Sequence, residues 1–146
     1  MITYREAIQK DIPGLLNLYK QLHENPIEPE LSVANDIFKQ ASESGVKYFV
    51  AEENERIIAC CYIAIIPNLT YGGKSIGFIE NVVTDKTYRR KGIGKKIIEM
   101  AKTYATKKNC YKVLLQSHSK RIDAHVFYES IGFDGESKKA FELRFE

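Results

Sequence analysis

The sequence predicts a mixed α/β (α+β) fold, a largely antiparallel sheet with helices on both faces. Three observations carry this. Along the chain the apolar residues switch between the strand period of two and the helix period of 3.6 in the order β α α β β β α β α β, which is not the strict alternation of a parallel fold. A hairpin signal joins two of the strands. One amphipathic helix, at residues 92 to 108, connects two others by a crossover and makes that pair parallel. The length of 146 residues suits a single domain over 1–146, with a core that needs neither disulfide nor structural metal.

Each element has a local cause. Ile2 to Arg5 is a short strand, and Asp11 fits the cap of a first helix in which Ile12, Leu15, Leu16, Tyr19 and Leu22 recur at helical spacing to about His23. Leu31, Ala34, Phe38 and Ala41 mark a second helix that stops near Gly45. YFVAEENERIIACCYIAII holds two β-rich runs parted by the polar ENE, a hairpin, with Pro67 ending the second run. Ser75 to Thr84 is a third β-rich run, in which Ile76, Phe78, Glu80 and Val82 share one face and Gly77, Ile79, Asn81 and Val83 the other. Ile93, Ile97, Met100, Ala101, Tyr104 and Ala105 give the crossover helix, and VLLQ the next strand. Ala124, Phe127, Tyr128 and Ile131 take helical spacing ahead of a C-cap glycine at Gly132, and a closing strand is expected around Phe141 to Phe145.

Composition narrows the class. The chain is 44% hydrophobic and 28% charged, with no apolar run of the length a membrane span requires. MITYREAIQKDIPG lacks the apolar core of a signal peptide, so a cytoplasmic location is expected. Cys60, Cys61 and Cys110 lack CxxC spacing and read as reduced core residues; His23, His118 and His125 form no zinc pattern, and no metal is expected. A net charge of +3 names no partner, yet its distribution is uneven. Acids gather in HENPIEPE, where Glu24, Glu28 and Glu30 read first as a solvated loop and otherwise could attract a cation, and cations gather from Arg89 to Lys108.

The densest basic stretch is YRRKGIGKK, residues 88–96, at the start of the crossover helix. A helix start carries partial positive charge and unpaired N–H donors, so Arg89, Arg90, Lys91 and Lys95 around Gly92, Ile93 and Gly94 make sense if they await an anion. The Walker pattern GxxxxGK[ST] is absent, and GxGxxG fails at Ile97. A solvated surface or a nucleic-acid contact would explain the charge but leave the glycine spacing and the strand before it unexplained.

In the strand before this loop, Glu80 and Asn81 interrupt both apolar faces at once. A carboxylate inside a strand is costly unless paired, hydrated or partly neutralised, and such surroundings suit a general base. An ion pair with a lysine at the sheet rim is the alternative reading of Glu80.

Arg89-x-x-Gly92-x-Gly94 within GFIENVVTDKTYRRKGIG, and RIDAHVFYESIGF with VLLQ between them, resemble the GCN5-related N-acetyltransferase (GNAT) family. The resemblance implies a sheet splayed at strand four, acetyl-CoA as cosubstrate, and a pyrophosphate held at Arg89 to Lys95. It implies backbone contacts from Val82, Val83 and Thr84 to pantetheine, with an N–H of Val82 or Val83 polarising the thioester. Tyr128 would then protonate the departing thiolate. Asp123 stands where relatives carry Asn, so Ser119 or His125 is the expected substitute contact, and Lys120 and Arg121 could reach the 3'-phosphate. IENVV and NCYKV are also similar to glucosamine-phosphate N-acetyltransferases. The implied acceptor is a small-molecule or peptide amine, with no nucleic acid or membrane partner expected and a homodimer left open. A non-catalytic acyl-CoA binding module is the competing class.

Overall fold

The computed structural model describes all 146 residues. The chain divides into two compact units, Met1–Leu114 and Leu115–Glu146. A five-stranded sheet has the order β1-β2-β3-β4-β5, with β1 Thr3–Glu6, β2 Val46–Glu53, β3 Arg56–Ile66, β4 Ser75–Thr84 and β5 Cys110–Leu115. The first four strands pair antiparallel, and β5 runs parallel to β4. No helix is long and apolar enough to cross a membrane.

Local chemistry sets the connections. Between β2 and β3 the two turn residues Asn54 and Glu55 both adopt positive φ (50° and 61°), the twist that a two-residue antiparallel hairpin needs. Helices α1 (Ile12–Tyr19) and α2 (Leu31–Glu43) lie between β1 and β2 in sequence, and α2 stops before Gly45 at φ 82°. The first helix is shorter than its periodicity predicts, and Asp11 does not cap it through its side chain. That carboxylate is engaged elsewhere. It accepts two bonds from Arg5 at 2.7 and 2.9 Å and one from the Ile8 N–H at 2.8 Å, and the Arg5 bond is the main cause that holds it below the usual aspartate range.

Helix α3 (Ile93–Lys107) covers one face of the sheet and α1 with α2 the other. On the α1 side Leu15 and Leu18 pack on Val50, Cys60 and Val83, each leucine contributing about 2 kcal/mol by burial. On the α3 side Phe49 meets Tyr104 edge-on at 5.9 Å, and the Cys61 Sγ lies 4.0 Å from the Ile97 carbonyl. Adjacent Cys60 and Cys61 therefore serve opposite faces, as strand alternation requires. Burial raises both thiols, Cys60 to about 12, so neither is a thiolate nucleophile at neutral pH.

The second unit contains helix α4 (Ile122–Ser130), followed by Gly132 at φ 104°. The closing strand expected at Phe141 to Phe145 does not form. Its alternation is real, but a strand needs a neighbouring ladder, and Phe141, Leu143 and Phe145 stand 87%, 81% and 93% exposed.

Candidate active site

In β4 the regular pairing breaks beside Glu80. Tyr62 of β3 pairs with Glu80 and Cys60 pairs with Val83, so Cys61 alone faces both Asn81 and Val82. This is a β-bulge, and Asn81 bends it through φ 51°, a left-handed conformation for which asparagine is enriched. The bulge inverts the alternation expected from sequence. Gly77 stays on the α3 side, where an added Cβ would fall 3.6 Å from the Ala105 Cβ, whereas Val83 joins Leu15 and Leu18 on the α1 side. Gly77 and Val83 thus lie on opposite faces, not the same one. Glu80, half-buried, lies on the α1/α2 side with Tyr62 and Tyr48.

The polar surroundings of the bulge include one orphan. Tyr19 ends α1 with its hydroxyl buried and without a hydrogen-bond partner, next to Cys60 and Asn81, and burial pushes its ionisation far upward. The Asn81 carbonyl is 3.7 Å from the Cys60 Sγ.

Strand β4 outruns its parallel neighbour. Ser75 N–H donates to the Asn109 carbonyl at 3.2 Å and the Val113 side chain lies against Gly77, so β5, ending at Leu115, stops opposite the neighbourhood of Glu80. Beyond that point Val83 and Thr84 pair with Cys60 and Ala59 of β3, and Asn81 and Val82 bulge out opposite Cys61. Val83 has its side chain in the core, which leaves its backbone for any ligand, while the Thr84 carbonyl already accepts from Arg89 Nε at 3.1 Å.

The loop after β4 is anchored by Asp85, which sequence reading missed. Only 3% exposed, its carboxylate accepts from the Thr87 N–H at 2.9 Å, the Thr87 hydroxyl at 2.7 Å, Gln21 at 3.3 Å and Arg56. Its own N–H donates to Ile58, its carbonyl accepts from Tyr88 N–H, and Gln21 Oε1 accepts from Lys86 N–H at 3.0 Å. Burial alone would raise this carboxyl, yet the Thr87 and Gln21 bonds and the Arg56 charge bring it below the usual aspartate range. The signal in sequence was weak: an Asp two residues before Thr87 is one of many turn patterns.

From this anchor the chain enters α3 through Arg90 at φ 63° and Gly92 at φ 78°, with no side-chain cap on the helix. Arg89, Arg90, Lys91 and Lys95 are exposed around the helix start, and Lys91 lies 5.2 Å from the centre of the Tyr88 ring. Ile93 points into the core, so it offers only its N–H. The model of the acetyltransferase (GNAT) family matches residues 12–133.

The chain belongs to this acetyltransferase family.

Among its relatives is glucosamine 6-phosphate N-acetyltransferase of Trypanosoma brucei brucei, 34% identical over 90% of this chain and 88% of that protein. A solved structure from Agrobacterium tumefaciens C58 is 37% identical with TM-score 0.90, covering 97% of this chain and 99% of its own. A Clostridium acetobutylicum structure with acetyl-CoA is 30% identical with TM-score 0.78, covering 99% and 96%. GNAT acetyltransferases use acetyl-CoA as cosubstrate. The residues here fit it. The helix start is uncapped, four cations surround it, and the Gly92 Cβ position has no heavy atom within 4 Å, so the backbone is open to an anion.

Gly92→Val should weaken acetyl-CoA binding about tenfold or more, because a β-branched residue at φ 78° strains the loop and its side chain fills the cradle. Isothermal titration with acetyl-CoA measures it; unchanged affinity would remove the pyrophosphate from this loop.

In the second unit, His125 Nε2 lies 2.9 Å from the His118 carbonyl, and His118 Nδ1 accepts from Lys120 N–H at 3.2 Å. Ser119 is exposed in the same turn. The Tyr128 ring packs against Phe127 at 5.2 Å and edge-on to Phe133 at 6.0 Å.

Proposed function

We propose that the protein is an N-acetyltransferase that moves the acetyl group of acetyl-CoA directly to a primary amine in a ternary complex. The observation that carries this reading is the bulge immediately after Glu80. Asn81 and Val82 share Cys61 across the bulge, which supports the reading that an N–H of Val82 or of its neighbour Val83 faces the thioester carbonyl, a preorganised donor worth roughly 3 kcal/mol in the transition state. The free length of β4 beyond β5 supports pantetheine pairing along Val82, Val83 and Thr84 as an added strand would.

Glu80 takes the proton of the incoming amine, directly or through a water it orients. The nitrogen lone pair then forms the new C–N bond, the C–S bond breaks, and Tyr128 donates its phenolic proton to the departing thiolate and regains one, through solvent, from the nitrogen that becomes the amide. Arg89, Arg90, Lys91 and Lys95, with the N–H groups of Gly92, Ile93 and Gly94, hold the pyrophosphate, and Ser119 or His125 supplies the pantetheine contact that Asp123 does not. Cys60 and Cys61 are deeply buried and burial also raises the half-buried Cys110 thiol, which disfavours a cysteine acyl-enzyme.

A narrower acceptor, an amino-sugar phosphate, is favoured by the 34% identity to the Trypanosoma enzyme over nearly the whole chain. Release of free thiol from acetyl-CoA across a panel of amines, glucosamine and glucosamine 6-phosphate included, tests both readings. A stabilising thermal shift with acetyl-CoA but no thiol release from any amine would overturn catalysis in favour of a binding module. Tyr128→Phe is expected to lower kcat about 10²-fold with an unchanged acetyl-CoA KM, as loss of a general acid does.

A further inference from the structure

We propose that Tyr62, backed by Tyr48, is the wall of the acceptor subsite, and that it receives a protonated primary amine whose carbon skeleton lies against the ring with the nitrogen toward Glu80. This deepens the acetyl-transfer reading and rests on its assignment of Glu80.

Three observations place the wall. Tyr62 is the direct cross-strand partner of Glu80, and such partners stand about 5 Å apart at Cβ on the same side of a sheet. Tyr48 pairs with Tyr62 in the next strand, their rings 5.2 Å apart, and Phe38 of α2 meets Tyr48 at 5.4 Å. An aromatic row therefore runs from α2 across β2 and β3 and ends at the carboxylate. Tyr62 is half-buried, not sealed in the core, and stands beside a half-buried Glu80.

The chemistry of the row selects its ligand. Burial, and after it the nearby Glu80 charge, raises the Tyr62 phenol, so the ring stays neutral and electron-rich beside an acid. An electron-rich ring face and a carboxylate attract the same thing, a cation with some apolar surface. Primary alkylamines are mostly ammonium ions at neutral pH. The subsite thus admits the abundant form, and one N–H proton passes to the Glu80 carboxylate to free the lone pair for attack. An amine lacking positive charge gains from the wall only the packing of its carbon skeleton.

Steady-state kinetics of Tyr62→Ala and Tyr62→Phe, with glucosamine, glucosamine 6-phosphate and a plain alkylamine varied in turn and then acetyl-CoA varied, tests this. Tyr62→Ala should raise the KM of the best amine about tenfold while the acetyl-CoA KM holds, and Tyr62→Phe, which keeps the ring, should stay near the parent enzyme. An unchanged amine KM in Tyr62→Ala, or an equal rise for both substrates, overturns the subsite. Should the alanine variant melt below the assay temperature, Tyr62→Leu, which keeps bulk without a π face, decides the same comparison.

A binding measurement separates this inference from the reaction. Saturation-transfer NMR of the same three amines with the coenzyme A-loaded protein should give a signal that Tyr62→Ala abolishes. Binding lost in the variant, with no turnover in the parent, would end the acetyl-transfer reading and keep the subsite. Neither binding nor turnover with any of the three amines would overturn both.

Discussion

Glu80→Gln is expected to lower kcat/KM for the amine by about 10²- to 10⁴-fold, the range that a positioned base supplies. The substitution preserves shape and removes the proton acceptor, so the pairing with Tyr62 and the bulge at Asn81 should persist. Acetyl-CoA binding, which we place at the Gly92 loop and the end of β4, should be unaffected by calorimetry. The loss corresponds to roughly 3–5 kcal/mol of transition-state stabilisation. It should also shrink as pH rises, because solvent then supplies more of the neutral amine that Glu80 otherwise generates. Thiol release measured from pH 7 to 9.5 checks this. An undiminished kcat/KM would take the base away from Glu80.

Asp85→Ala is expected to cost about 2–3 kcal/mol of unfolding free energy, since it strands several hydrogen-bond donors around one buried carboxylate. Arg56, more than half exposed, recovers water and limits the loss. Asp85 also ties the end of α1 through Gln21, and the start of β3 through Arg56 and Ile58, to the loop that leads into Gly92. Acetyl-CoA affinity should therefore fall together with stability. The pH dependence follows from the depressed carboxyl. Its stabilisation is complete above the ordinary aspartate value of about 3.9 and disappears as pH falls through the lower folded value. Urea melts should show parent and variant converging in that acid window, and a constant gap from pH 7 to 2.5 would show that the charge of Asp85 contributes nothing.

Periodicity was sufficient for most of the architecture, because most elements are amphipathic in a simple way. The run Ser75 to Thr84 is β4 residue for residue, Pro67 follows the last residue of β3, and the apolar stripe from Ile93 to Ala105 is the buried side of α3. Where reading failed, a longer-range contact decided. Asp11 resembles a helix cap, but Arg5 claims its carboxylate. Phe141, Leu143 and Phe145 alternate like a strand, but no ladder receives them. Asp85 looks like an ordinary turn residue, since Gln21 and Arg56 lie 64 and 29 positions away. The bulge had a visible sign in the double interruption at Glu80 and Asn81, but a period of two has no term for an extra residue.

The extra residue in β4 has a consequence for how this gene can change. Substitutions at Asn81 adjust a bend, but deletion of one residue there would restore a regular ladder with a single residue opposite Cys61. Glu80 and Val83 would keep their partners Tyr62 and Cys60 and stay on the α1 side, so the faces survive while the extra backbone unit that the bulge sets aside is lost. A core that holds without the extra residue makes the count of residues between Glu80 and the loop a demand of the proposed chemistry and not of packing.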